Sequence, residues 1–315
     1  MSILVTGAAG FIGSNLCWKL TELGYDVVGI DAFKIGSNRK NLQGWKGRLL
    51  EIDILNKTAL DQLVKENTFE EVIHLAAETH VDRSFLNIDS FWSTNVLGTS
   101  NLLQCFLGRP PRIFINQLSD EAYGPIDFGQ SVEGDPFYPT SPYAASKAAQ
   151  YFVGQSFYKT FNLPVVSTFP SNTFGPRQWP EKLIPKFTLR LINSLPVPLM
   201  KSVENRRDWL SVEDHVAALI FLLKKGAVGS SYNISAENQL TNLAITKHLL
   251  FLTGRDDSYI ELVPDRLAHD YAYNVSSAIL HLMGWAPKQK FETYLKSTVE
   301  WYYDHQDYYP PGVYS

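Results

Sequence analysis

Tyr143 and Lys147 stand four apart in the stretch SPYAASKAA, on a segment that reads as a helix, so the two side chains share a face. A tyrosine is a poor base at its ordinary pKa of ~10. A neighbouring ammonium or a cationic nicotinamide favours the phenolate and lowers that value. The lysine can also reach a nicotinamide ribose. Ser119, Asp120 and Glu121 follow the strand-like run RIFINQL. Adjacent carboxylates there can divide two proton transfers, a base for a carbon-bound proton and an acid for a leaving hydroxyl. As bare sequence, the acid pair also reads as an exposed loop and YxxxK as a solvated helix face.

The third chemical feature is Gly7-Ala8-Ala9-Gly10-Phe11-Ile12-Gly13, between a short apolar run and a helical pattern. Glycine there lets the backbone turn sharply and approach a pyrophosphate, and the helix that follows aims its first amides at the phosphate charge. Gly7, Gly10, Phe11, Ile12 and Gly13 are therefore candidate cofactor contacts. Asp31 ends the second strand-like run and can accept both ribose hydroxyls of an adenosine half. It would repel the extra phosphate of NADP, which favours NAD. Lys34 and Arg39 in the next loop leave NADP open, and Asp31 also reads as a turn-initiating aspartate.

The elements that must position these groups alternate. ILVTG, DVVGID, RLLEID, EVIHLAA, RIFINQL and PVVSTF read as strands. Helical patterns lie between them at FIGSNLCWKLTELG, 56–66, about 88–107 and SPYAASKAAQYFVGQSFYKTF. Short strands alternating with helices give a parallel sheet covered on both faces. The expected class is α/β, a Rossmann-type doubly wound parallel sheet with a smaller mixed α/β C-terminal substrate domain. The boundaries expected are 1–170 for the NAD-binding part, with returning segments from about 211–235, and 171–315 for the mainly substrate-binding region. Prolines at 176, 180, 185, 196 and 198 mark the change of pattern.

Composition narrows the function classes. The 315 residues are 45% hydrophobic and 19% charged, as in ordinary globular proteins. The net charge of −4 leaves no basic excess for nucleic acid. Two cysteines, Cys17 and Cys105, exclude a disulfide framework or a cysteine-built zinc site. Both read as helix-borne core residues. No histidine shows HxxxH spacing, so no metal is expected. His74 reads as a satisfied core histidine, and Trp301, Tyr302 and Tyr303 as packing. No charged leader and no apolar run of ~18 residues is seen, so the expectation is a cytoplasmic protein without a membrane span.

Glycine loop and YxxxK together resemble the extended short-chain dehydrogenase/reductase superfamily, which oxidises sugar nucleotides with tightly held NAD. Further motifs resemble its nucleoside-diphosphate-glucose 4,6-dehydratases, in the dTDP- or UDP-glucose branch. SDEAYG (119–124) is similar to TDEVYG, and HLAAETHVDRS (74–84) to HLAAESHVDRS. PEKLIP (180–185), RDWLSVEDH (207–215), MGWAP and TVEWY also match. The resemblance implies that Tyr143 takes the proton of the carbon 4 hydroxyl as hydride passes to NAD, with Ser119 bonded to that oxygen. Glu121 then removes the carbon 5 proton and Asp120 protonates the departing carbon 6 hydroxyl. Hydride returns to carbon 6, leaving a 4-keto-6-deoxy sugar nucleotide.

By the same resemblance, Asp53 and Ile54 contact adenine, while Leu75, Ala76, Ala77 and Thr94 line the cofactor. Thr79, Asn172, Lys182, Leu183, Arg207, Asn238 and His269 surround the sugar and its nucleotide. Arg207 is the natural diphosphate ligand, because a guanidinium offers a fork of donors. A surface ion pair with Asp208 is the other reading of it. A homodimer is implied as well. Ser119 stands where the family has threonine, Leu118 for a serine and Thr173 for an asparagine. LMKSVENRRDW lacks the family's glycine-containing loop, and Tyr271-Ala272 replace an arginine pair. These changes leave the base (dTDP, UDP or CDP) and the sugar open. A sugar-nucleotide 4-epimerase is the enzymatic alternative, although epimerisation needs neither Asp120 nor Glu121. A catalytically silent NAD-binding protein is the other, against which Ser119, Tyr143 and Lys147 speak.

Overall fold

Seven strands, all pairing in parallel, form the main sheet of the computed structural model, which describes residues 2–310 and 312–314. In chain order the strands are β1 (Ser2–Thr6), β2 (Asp26–Asp31), β3 (Arg48–Glu51), β4 (Glu71–His74), β5 (Ile113–Gln117) and β6 (Val165–Pro170). They continue as β7 (Asn172–Phe174), β8 (Val197–Met200), β9 (Arg206–Ser211), β10 (Ser231–Ile234), β11 (Gln239–Thr241) and β12 (Ile260–Val263). The order across the main sheet is β10-β6-β5-β4-β1-β2-β3. The chain runs outward from β1 to β3 and returns to β4 on the other side of β1. That reversal opens a crevice at the carboxyl ends of β1 and β4.

The expected doubly wound sheet is the one formed, and its strands show why. Every residue of β5 and β6 is buried, the mark of a strand covered on both faces. Successive side chains serve opposite layers. Ile3, Val5, Ile113 and Ile115 join one apolar cluster, with Leu16, Leu20, Leu219 and Leu222 of the Phe11–Glu22 and Val212–Lys225 helices. Leu4 and Phe114 join the other, with Leu60, Leu63, Leu102 and Phe157. After β6 the pattern becomes mixed. β7 and β11 flank β9, one parallel and one antiparallel, and β8 pairs with β12. Residues 212–234 add a helix and the seventh strand to the main sheet.

Two elements differ from their sequence reading. Strand pairing in EVIHLAA stops at His74, because the backbone amides of Leu75 and Ala76 both donate to Thr6 Oγ1 at 3.1 Å and peel the chain away. The helix read from 88 to about 107 ends at Cys105, and its middle, Trp92–Gly98, winds as a π-helix. Such turns leave no trace in hydrophobic periodicity and often mark functional positions. A separate helix, Val81–Leu86, precedes it, and Asn87 caps the second helix by accepting from the Ser90 amide.

Candidate active site

A single cavity runs along the carboxyl edge of the main sheet. The glycine loop, Asp31, Asp53 and Thr94 line one end, and Ser119, Glu121, Tyr143 and Lys147 the other. At the glycine loop, sterics dictate the residue type. Gly7 turns at φ +67°, and a Cβ on it would lie 2.8 Å from the Ala76 nitrogen. A Cβ on Gly13 would lie 2.0 Å from the Gly7 carbonyl oxygen. Gly10 precedes the Phe11–Glu22 helix with no side chain to cap it, so the first-turn amides stay open to an anion.

Asp31 ends β2 and accepts from the amides of Ala9 (2.9 Å) and Phe33 (2.8 Å), which fixes its carboxylate at the cavity wall. Burial pushes its pKa up, and those two amides oppose the shift. Lys34 pairs with Asp53 at 2.7 Å, and Arg39 pairs with Glu51 while lying 3.5 Å above the Phe33 ring. The two cations that leave NADP open on sequence are thus each engaged by a carboxylate. Ile54, Leu75, Ala76 and Ala77 line the cavity with them. Thr94 projects from the π-turn, and its hydroxyl is buried without a partner. A narrow glycine cradle, a fixed carboxylate and an orphaned hydroxyl fit a dinucleotide.

The opposite wall is built on two elements. The Pro142–Phe161 helix starts firmly, with Ser141 Oγ accepting from the Ala144 amide (3.1 Å) and proline at its first position. Tyr143 and Lys147 lie one turn apart on it. Lys147 Nζ donates to the Gln117 carbonyl (3.2 Å) and to Gln150 Oε1 (2.9 Å), and burial pushes its pKa down to about 7. Two residues beyond β5, Ser119 caps the short turn Asp120–Tyr123 by accepting from the Glu121 amide (3.3 Å) and donates to Asp120 Oδ1 (3.2 Å). Asp120 Oδ2 and Glu121 Oε2 are both buried with no partner. The acids are therefore not an exposed loop pair.

Burial raises both carboxyls, with different charges opposing it. Burial raises Asp120 to about 8, and the Glu121 charge adds to it, while Arg207 opposes. Burial also raises Glu121, but three cations, Arg266, Arg207 and Lys182, pull it back. Tyr143 departs from the sequence expectation. Burial holds its pKa up, Glu121 and Asp120 add to that, and Ser119 opposes. Its ammonium neighbour is turned toward Gln117 and Gln150, so the protein's own groups keep this phenol protonated.

Of the residues expected around the sugar nucleotide, Thr79, Asn172 and Lys182 line the cavity, and Lys182 Nζ donates to the Thr79 carbonyl (2.7 Å). Leu183, Arg207, Asn238 and His269 lie outside the lining of this cavity. Leu183 opens the Leu183–Ile192 helix and packs on the core. Arg207 is buried behind the acids, donating to the carbonyls of Arg206 (2.6 Å), Tyr271 (3.3 Å) and Asp270 (3.1 Å), with its guanidinium 4.6 Å above the Tyr273 ring. The ion pair with Asp208 does not form, because Asp208 accepts from the amides of Ala236 and Asn238 instead. Asn238 Nδ2 is buried and unpartnered. His269 Nδ1 lies 3.2 Å from Asp265 Oδ1, and burial and then Arg266 push its pKa down.

Sequence reasoning missed Arg266, whose Nη1 lies 3.4 Å from Asp82 and whose buried Nε has no partner. It also missed Glu78, Gln178, Trp179 and Glu181 on the cavity wall. Their proximity to HLAAETHVDRS and PEKLIP was the available signal. His74 is the core histidine expected, bonded to Thr6 (2.7 Å) and Thr99 (2.9 Å), with burial lowering its pKa to about 3. Cys17 is buried, Cys105 half-buried, and both are free thiols. Tyr303 is exposed rather than packed. Among the described residues no cluster could hold a metal, and no helix is long and apolar enough to cross a membrane.

Comparison with known proteins agrees with this geometry. The model of the GDP-mannose 4,6 dehydratase family matches residues 4–298. The Low-salt glycan biosynthesis protein Agl12 of Haloferax volcanii is 40% identical, over 96% of this chain and 98% of that protein. A probable dTDP-glucose 4,6-dehydratase of Sinorhizobium fredii is 36% identical, over 99% of this chain and 95% of its own. DesIV, the dTDP-glucose 4,6-dehydratase of Streptomyces venezuelae, crystallised with NAD and TDP, superposes with a TM-score of 0.96 at 35% identity, covering 99% of both chains.

Proposed function

The chain belongs to the GDP-mannose 4,6 dehydratase family, and from that premise we propose that it converts a nucleoside-diphosphate glucose to the 4-keto-6-deoxy sugar nucleotide with loss of water. We put dTDP-glucose first among substrates, because DesIV and the Sinorhizobium relative carry that name. The observation that carries the reading is the pair Asp120–Glu121, buried beside Ser119 and Tyr143, each with an unpartnered carboxylate oxygen. Epimerisation at carbon 4 would use neither.

When bound, NAD supplies the hydride acceptor, returns the hydride later, and brings a positive charge beside Tyr143 that favours its phenolate. Gly7, Gly10, Gly13, Asp31 and Thr94 are the residues that would hold it. Tyr143 receives the proton of the carbon 4 hydroxyl, and Ser119 orients that oxygen. Lys147, anchored by Gln117 and Gln150, sits one helical turn away, where it can hold the ribose. Burial raises Glu121 as well, while Arg266, Arg207 and Lys182 favour its charged form; it takes the carbon 5 proton as the carboxylate. Asp120 is raised to about 8 and so protonated at neutral pH; it donates to the departing carbon 6 oxygen as water leaves. Glu121 then gives its proton back to carbon 5.

We also assign a homodimer. Trp92 and Leu97 on one long helix and Phe152 on another are exposed apolar side chains that a second copy would cover. A reducing cytoplasm suits two free thiols.

Product mass tests the reaction. Incubation with dTDP-glucose, UDP-glucose or CDP-glucose should yield a product lighter by one water from one of them, and Glu121→Gln should abolish that loss. An unchanged mass with an inverted carbon 4 would make the protein an epimerase instead.

A further inference from the structure

Residues after the Phe291–Asp304 helix return to the site from its far side. There two adjacent tyrosines reach in different directions. Tyr308 Oη donates to Asn41 Oδ1 (2.7 Å), and Asn38 Nδ2 donates to the Tyr308 carbonyl (3.3 Å). Asn41 in turn supports the glycine loop, its Nδ2 donating to the Ala9 carbonyl at 2.8 Å, and the Asn38 amide bonds the same oxygen at 3.0 Å. Tyr309 is buried, and its Oη donates to the Gln178 carbonyl (2.8 Å). Its ring packs edge-on against Trp179, 5.7 Å between centroids. Gln178 and Trp179 line the cavity along with Glu181 and Lys182, and Gln178 Nε2 donates to the Thr173 carbonyl (2.9 Å). Further along, Arg190 Nη1 donates to the Tyr314 carbonyl (3.1 Å) and pins the segment down.

We infer that Tyr308 and Tyr309 are positioning residues that tie the Asn38–Asn41 support of the cofactor loop to the Gln178–Trp179 wall, so that each ligand's binding depends on the tyrosine bond at the other end of the segment. Neither residue reaches the cavity itself. The coupling arises because one short segment must satisfy both bonds at once, and by linkage it acts equally in both directions. The inference rests on the proposed function for the identity of the two ligands.

The test is crosswise. Tyr308→Phe and Tyr309→Phe keep the rings and remove one hydrogen bond each. NAD release is timed from the purified holoenzyme, and dTDP affinity is measured by calorimetry on the same samples. Tyr309→Phe should speed NAD release, and Tyr308→Phe should weaken dTDP binding, each by about 2- to 10-fold, the range of a single neutral hydrogen bond. Variants that alter only the ligand on their own side, or lose thermal stability with both ligands unaffected, would overturn the coupling alone. Wild-type protein that binds no dTDP would overturn the substrate reading and this inference with it.

Discussion

The glycine loop after β1 and the acid turn after β5 open on the same crevice, with only β4 between their strands. They work by opposite means. The loop is a backbone device. Gly7 and Gly13 are fixed by contacts that any Cβ would violate, and its ligand-binding groups are main-chain amides. The turn is a side-chain device. Nothing in its backbone demands aspartate or glutamate, and its chemistry depends on burial and on cations brought from elsewhere. A backbone site tolerates little variation of residue type and does not titrate. A side-chain site is tuned by its neighbours, so the same dipeptide could be inert on a surface.

That contrast is sharpest where the acids titrate. Asp120→Asn should lower kcat by roughly 10²- to 10⁴-fold, the span of general acid catalysis, with NAD still retained. In the wild type, kcat should decline as pH rises through about 8, where Asp120 loses its proton. Stability follows the same sign. The folded carboxyl is raised from 3.8 to about 8, so its contribution is full below the lower value and is lost as pH climbs through the upper one. The asparagine variant lacks this loss. Melting curves from pH 5 to 9 should show the wild type falling relative to Asp120→Asn, and a gap independent of pH would remove the argument for a buried acid.

The loop should break differently. Gly13→Ala puts a methyl group against the Gly7 carbonyl, an overpacking that costs about 1–3 kcal/mol. Equilibrium dialysis should find NAD affinity down by roughly one to two orders of magnitude, the same energy expressed in binding. The Asp120 pH dependence of stability should persist in this variant. If it shifts, the two regions are not the separate devices described above. The smallest effect is expected at Asp31, where a side chain does enter the cradle. Asp31→Asn keeps an oxygen for the Ala9 or Phe33 amide but removes the charge. Preference for NAD over NADP should drop by about ten-fold, the worth of a charged hydrogen bond, and unchanged preference would point to the paired Lys34 and Arg39 as the discriminators.

Legibility followed the same division. The alternation of strands and helices, the glycine spacing and the one-turn separation of Tyr143 and Lys147 are local patterns, and each was readable. The π-turn carrying Thr94 was not, because one extra residue offsets the apolar face by a single position, which a short helical pattern does not distinguish from ordinary scatter. Arg266 escaped notice because its partner Asp82 lies 184 positions away. Lys147 was expected to lower the tyrosine's pKa. Instead Gln117 and Gln150 take its ammonium, a geometry set when β5 packs beneath the helix.

The sequence by itself determined a parallel α/β sheet and the glycine spacing at its first turn, because strand and helix periodicity and the turn between them are written in a few neighbouring residues; the proton-transfer roles came to Asp120, Glu121 and Tyr143 through motifs that resemble a family. The tertiary structure alone decided that both carboxyls are buried and raised, which cations oppose that, that Arg207 stands behind the acids, and how the last tyrosines are held. Those outcomes rest on desolvation and on contacts between segments far apart in the chain, and neither exists until the whole is folded.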